Sequence, residues 1–156
     1  MRRIFKIIIL ILIIGFVAIQ FFQPEKNMND DISGLITEQK QIPENIKEIF
    51  KNSCLDCHSN NTRYWWYDKI SPVSWYIDDH IRKGKKELNL SEWGELDIYD
   101  QIAALDDIGK EVERNKMPLK SYTFMHKKAR LSDDQIKEFM VWIEKYSEEL
   151  FKSTVD

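Results

Sequence analysis

The sequence predicts an all-α chain: one N-terminal transmembrane helix followed by a small helical domain. Three observations carry this. Apolar residues recur at helical spacing in three segments, at Ile46, Ile49 and Phe50, at Ile98, Ile102, Leu105, Ile108 and Val112, and at Ile136, Phe139, Met140, Ile143, Tyr146 and Leu150. No segment alternates apolar and polar residues for long enough to read as a strand. The third observation is a basic head, Arg2, Arg3 and Lys6, running into an apolar stretch.

That stretch, Ile4 to Phe22, is 19 residues. At the helical rise it spans roughly 28 Å, close to the ~30 Å of a hydrocarbon core. Lys6 can snorkel to the head groups, and no clear small-residue cleavage site follows. Residues 1–22 are therefore expected to be an inner-membrane anchor or signal-anchor, uncleaved in preference to a cleaved signal peptide. The positive-inside rule then puts the C-terminal domain on the periplasmic side of a single-pass protein.

Residues 23–41 are polar, with Pro24, Asn27, Asn29, Ser33 and Gly34. They read as a linker or an irregular arm, in which Ile32, Leu35 and Ile36 can dock. The domain proper is expected over residues 42–152. Pro43 opens its first helix, and Glu44 and Glu48 favour the positive helix end. This helix runs into Cys54. An aromatic stretch follows, with Tyr64, Trp65, Trp66, Tyr67, Trp75 and Tyr76. A short helix is expected from Val73 to Arg82, ended by Gly84. Leu88 to Gly94 reads as a loop with buried anchors. Asp97 caps a further helix to about Asn115. The segment from Lys116 through Met117, Pro118, Tyr122 and His126 reads as a loop with short helical turns. Ser132 to Gln135 forms a capping box for the last helix.

Composition narrows the function. The chain has 156 residues, is 43% hydrophobic and carries a net charge of −3. One domain with a packed core is feasible, and without a basic excess a nucleic-acid partner is not expected. No paired acids in a cleft argue for a hydrolase, since Asp78-Asp79 and Asp106-Asp107 read as solvated faces.

The chemistry sits at Cys54-Leu55-Asp56-Cys57-His58, which holds the chain's two cysteines. CxxCH is the attachment signature of a c-type haem: two thiols bond the haem covalently, and the adjacent His ligates the iron. A structural zinc site would need four ligands, and three His with no second Cys pair do not supply them. A redox dithiol would need a βαβ context. One covalent haem c is thus expected on Cys54 and Cys57. His58 is the proximal ligand, its second ring nitrogen meeting a backbone carbonyl. Met117, before Pro118, is expected as the sixth ligand, a soft thioether that raises the potential. His80 is the alternative, and His126 or an open site are lesser ones. Trp65, Trp66, Tyr67, Trp75 and Trp93 suit a haem edge or a core equally. Arg63, Arg82 and Arg130 could pair with propionates.

These residues carry a resemblance. Asn52 to Asn60 around CxxCH, Ile70-Ser71-Pro72-Val73-Ser74-Trp75, Asp79-His80-Ile81, Gly84, Leu88 to Trp93, Met117-Pro118-Leu119, Tyr122, His126 and Ala129 to Ser132 together resemble the bacterial haem-binding domain family over residues 40–150. More distantly, helix, CxxCH, Met-Pro and helix are similar to class I cytochromes c. In those the Met of the equivalent loop is the distal ligand, which supports Met117. The resemblance implies a small cytochrome c-like helical domain around one covalent haem. The expected function is electron transfer between redox partner proteins of the cell envelope, with a haem-based sensor or a peroxidase-like enzyme as alternatives. The long aromatic insertion between His58 and Gly84 departs from the cytochrome pattern and keeps His80 in contention.

Overall fold

A computed structural model describes residues 1–39 and 42–154. Within them the chain is all-helical, with seven α-helices and no strand among the described residues. They are α1 (Arg2–Ile19), α2 (Glu44–Ser53), α3 (Leu55–His58), α4 (Val73–Glu87), α5 (Ile98–Glu113), α6 (Lys120–Met125) and α7 (Asp133–Lys152), with four short 3₁₀ turns between them.

The core forms where α2, α5 and α7 meet. Phe50 on α2 is fully buried and sits edge-on to Phe139 of α7, with ring centroids 5.3 Å apart. Phe139, Trp142 and Tyr146 then stack along α7 at centroid distances of 5.7 and 5.2 Å. Offset and edge-on pairs of this kind add to the burial of large rings. Leu105 and Val112 of α5 close the same core, as the helical spacing of both segments requires.

The end signals act as the sequence indicates. Asp97 Oδ1 accepts from Asp100 N at 2.8 Å and starts α5. Ser132 Oγ accepts from Gln135 N at 3.2 Å, and Ser132 N donates to Gln135 Oε1 at 3.0 Å. Asn115 ends the α5 segment at φ 54°. Pro43 occupies the N-cap of α2, so the helix begins one residue later, at Glu44.

The transmembrane helix is corrected. No helix among the described residues is long and apolar enough to cross a membrane. The physical reason lies in α1 itself. Its 18 residues include Arg2, Arg3 and Lys6. The charge-free part, Ile7 to Ile19, is 13 residues, about 20 Å of helix against the ~30 Å needed. Phe21 and Phe22 lie beyond the helix end. A single-pass inner-membrane placement with a periplasmic domain is therefore not supported. The exit of α1 is instead bonded to the domain. Gln20 Nε2 donates to Ser71 O at 3.0 Å, Ser71 N donates to Gln20 Oε1 at 2.9 Å, and Trp75 Nε1 donates to Phe22 O at 2.6 Å.

Residues 23–39 form an arm laid along the domain. Asn27 Nδ2 donates to Ser59 O at 2.8 Å and to Thr62 Oγ1 at 2.9 Å. Thr62 N and Asn29 N complete a short antiparallel contact with Asn27 O and Asn60 O. Ile36 is fully buried in the core. The last two residues of the expected linker, Lys40 and Gln41, lie outside the described residues.

Candidate functional site

The CxxCH segment is a helical turn of its own. Cys54 caps α2 at φ −124° and ψ −49°, which breaks the helix and redirects the chain. Its carbonyl then accepts from Cys57 N at 3.1 Å and from His58 N at 3.0 Å. Both thiols thereby come onto one turn, and they are unpaired. Burial pushes Cys54 up to about 12 and Cys57 to about 11, so both stay S–H at neutral pH.

His58 is oriented by α4. Its Nδ1 lies 3.1 Å from Leu88 O, at the end of that helix. A carbonyl only accepts, so Nδ1 carries the proton and Nε2 keeps its lone pair. Burial also holds the imidazole below its ordinary value, in the neutral form a metal requires.

Gly84 sets how closely α4 approaches this turn. A Cβ there would stand 2.6 Å from Cys57 O, a backbone atom. The expected stop at Gly84 is thus a mid-helix packing contact, and α4 continues to Glu87.

Asp56, inside the motif, is 6% exposed. It accepts from Arg63 Nε at 2.8 Å and from Tyr122 Oη at 2.6 Å. Arg63 Nη2 also reaches Lys51 O, on α2, at 2.6 Å. One buried carboxylate therefore ties together α2, the CxxCH turn, the following loop and α6. Burial and the Asp56 carboxylate both push the Tyr122 hydroxyl far above its ordinary value.

Beside Cys57 lies a cavity of about 320 Å³, walled by α3, α4, α6 and the aromatic loop. The size falls at the lower end of ligand pockets. Its walls are mainly apolar and aromatic, including Trp65, Tyr67, Ile81 and Tyr122, and it carries two imidazoles, His80 and His126. His80 Nδ1 donates to Tyr76 O at 2.8 Å, which leaves the Nε2 lone pair free. His126 stacks on Tyr122 at 4.3 Å and shares a 2.6 Å hydrogen bond between its Nε2 and Tyr67 Oη. Desolvation lowers the His126 imidazole below its ordinary value.

The structure thus brings Cys57 and His80 to one cavity. Cys54 packs toward the hydrophobic core instead. Met117 is half-buried in the loop after α5 and is not among the cavity's lining residues, although Leu119 is. Of the expected aromatic wall, Trp65 and Tyr67 line the cavity, Trp93 is fully buried in the core and Trp66 is exposed. Arg63 and Arg82 are committed to Asp56 and to the Asp78-Asp79 pair. Asp56 was not legible as a functional residue, because nothing in the sequence marks the second spacer of CxxCH as buried.

A family model described as a haem-binding domain matches residues 14–145, most of the chain and all of the site just described. The chain belongs to the haem-binding domain family. It is accordingly a haem-binding protein. No curated protein and no solved structure matches it. The donor chemistry of this haem-binding domain fits the group, while of Cys54, Cys57 and His58 only Cys57 lines the cavity. Two neutral thiols share one turn, and the neighbouring imidazole is held in the tautomer that leaves Nε2 free.

Proposed function

We propose that this haem-binding domain holds its haem covalently, as a c-type centre, and passes single electrons between protein partners. The observation that carries the reading is the His58–Leu88 hydrogen bond of 3.1 Å beside two S–H groups on the same turn. That bond leaves the Nε2 lone pair of His58 unused, one residue after the Cys57 thiol, which is the donor an iron ligand must offer.

Cys54 and Cys57 would hold the group as thioethers, each S–H adding across one vinyl C=C with no oxidant or reductant consumed. His58 Nε2 would be one protein ligand to the iron. Met117 is proposed for the second, with His80 as its competitor. When bound, the haem supplies a one-electron Fe(III)/Fe(II) couple. Trp65, Tyr67 and Ile81 line the largely apolar cavity beside Cys57, and the Asp56–Arg63–Tyr122 cluster holds the CxxCH turn against α6.

Potentiometry followed by visible absorbance tests this on the isolated haem-loaded chain. The account expects one reversible one-electron wave and no change in the reduced spectrum on adding carbon monoxide. An irreversible wave, or immediate carbon monoxide binding, contradicts it.

A second reading follows from the two cavity imidazoles. His80 and His126, the latter bonded to Tyr67, suit a ligand-binding sensor or a peroxidase-like site with a labile distal position. Rapid carbon monoxide binding together with peroxide turnover selects it over electron transfer.

A further inference from the structure

The two thiols of CxxCH have different surroundings. Both cysteines are half-buried, so exposure alone does not separate them. Cys57 lines the apolar cavity together with Trp65, Tyr67, Tyr76 and Tyr122, whose flat rings suit a porphyrin face. Cys54 does not line it. It packs against the hydrophobic core instead, at the end of α2, where its N–H donates to Phe50 O at 2.9 Å.

The turn that carries both is held from several sides. Ser53 Oγ donates to Ala129 O at 3.0 Å, and Thr62 Oγ1 donates to Asp56 O at 2.7 Å. The Asp56 carboxylate adds its bonds from Arg63 and Tyr122. On the α4 side, Gly84 covers the Cys57 carbonyl so closely that a Cβ there would stand 2.6 Å from it. Turning Cys54 from the core toward the cavity therefore requires these contacts to open, a local unfolding with its own free-energy cost. Cys57 needs no such opening. It already borders any group seated in the cavity, and proximity of that kind raises rates by orders of magnitude.

We propose that the two thiols bond the haem in a fixed order, Cys57 first from the cavity wall and Cys54 second from the core side. In the first step the Cys57 S–H bond breaks, sulfur bonds one carbon of a vinyl C=C and the hydrogen goes to the other carbon, with no oxidant or reductant consumed. The same addition at Cys54 waits for the turn to open. Cys57 is thus the residue that captures the group, and Cys54 the one that locks it. The inference rests on the covalent c-type reading.

The test incubates the full haem-free chain, its thiols reduced, with ferrous haem under anaerobic conditions. Samples are stopped over time with N-ethylmaleimide in denaturant, and peptide mass spectrometry finds which cysteine carries haem and which the label. Early samples should hold chains with haem on Cys57 and label on Cys54, in at least about tenfold excess over the reverse. Equal amounts of the two, or an excess of the reverse, overturn the proposal. The single variants, produced with a c-type haem maturation system, make the same comparison without a trapped species. Cys54→Ala should keep one covalent haem per chain, and Cys57→Ala should carry at least about tenfold less. Equal loading of the two overturns the order. Circular dichroism checks that both variants keep the helicity of the parent, and the labelling of the parent chain decides if one does not. A parent chain without covalent haem in either experiment removes the c-type reading itself. Covalent haem attached in another order removes this inference and leaves that reading standing.

Discussion

Tyr122 Oη donates to Asp56 Oδ2 at 2.6 Å, across 66 residues of sequence. The acceptor lies inside CxxCH and the donor on α6, so this bond sets the motif against the cavity wall. Removing only the hydroxyl, in Tyr122→Phe, is expected to destabilise the chain by about 1–3 kcal/mol, the cost of an unmade buried bond. Asp56→Ala should cost more, because it removes at once the acceptor shared by the half-exposed Arg63 guanidinium and the part-buried Tyr122 hydroxyl. Urea unfolding of both variants checks the order. Asp56→Ala within about 0.5 kcal/mol of the parent would mean that the cluster is ornamental.

Gly84→Ala separates two effects of opposite sign. Helix propensity alone predicts a gain of up to about 1 kcal/mol. The contact with Cys57 O at 2.6 Å predicts a net loss of about 1–3 kcal/mol, since both sides are backbone and must part. Gly109→Ala is the control. A Cβ there meets the mobile end of Met140 at 3.1 Å, so the cost should be small. Thermal melts that show Gly84→Ala to be stabilising would refute the close approach of α4.

The helices show what a sequence can and cannot disclose. Helical spacing and two caps located α5 and α7, because periodicity and capping are local. Gly84 looked like a stop, since its role depends on a carbonyl 27 positions away in sequence. The spanning helix failed on composition: three cations share its 18 residues, and the apolar remainder is too short. At the site, CxxCH and the carbonyl partner of His58 could be anticipated from metal chemistry. The Asp56 cluster could not, because burial of a carboxylate is a tertiary fact with no local signature.

Alkaline stability reports on the thiols. The folded state raises Cys54 to about 12 and Cys57 to about 11 from 9.0. Their contribution is fully present below pH 9 and is lost as pH rises toward the folded values, because the unfolded thiols ionise first. The haem-free chain should therefore lose stability between pH 9 and 10, before the tyrosines contribute. A thioether has no proton to lose, so the covalently loaded chain should be flat over the same window. Urea midpoints at closely spaced pH values decide it, and matching slopes in the two forms would count against thioether linkage.

The proposed ligand pair of His58 with Met117 is open to a direct comparison. Met117→Ala is expected to lower the midpoint potential and alter the ferric spectrum, because a soft thioether favours Fe(II). His80→Ala should leave both close to the parent. If His80→Ala is the change that converts the iron to high spin, His80 is the ligand and Met117 a packing residue.

The measurement that bears most directly on the account is the mass of the denatured chain after production with a c-type haem maturation system. The expected mass is that of the polypeptide plus one haem, resistant to extraction into acidified organic solvent, with loss of that adduct in Cys54→Ser/Cys57→Ser. A bare polypeptide mass, with all haem in the organic phase, would contradict it.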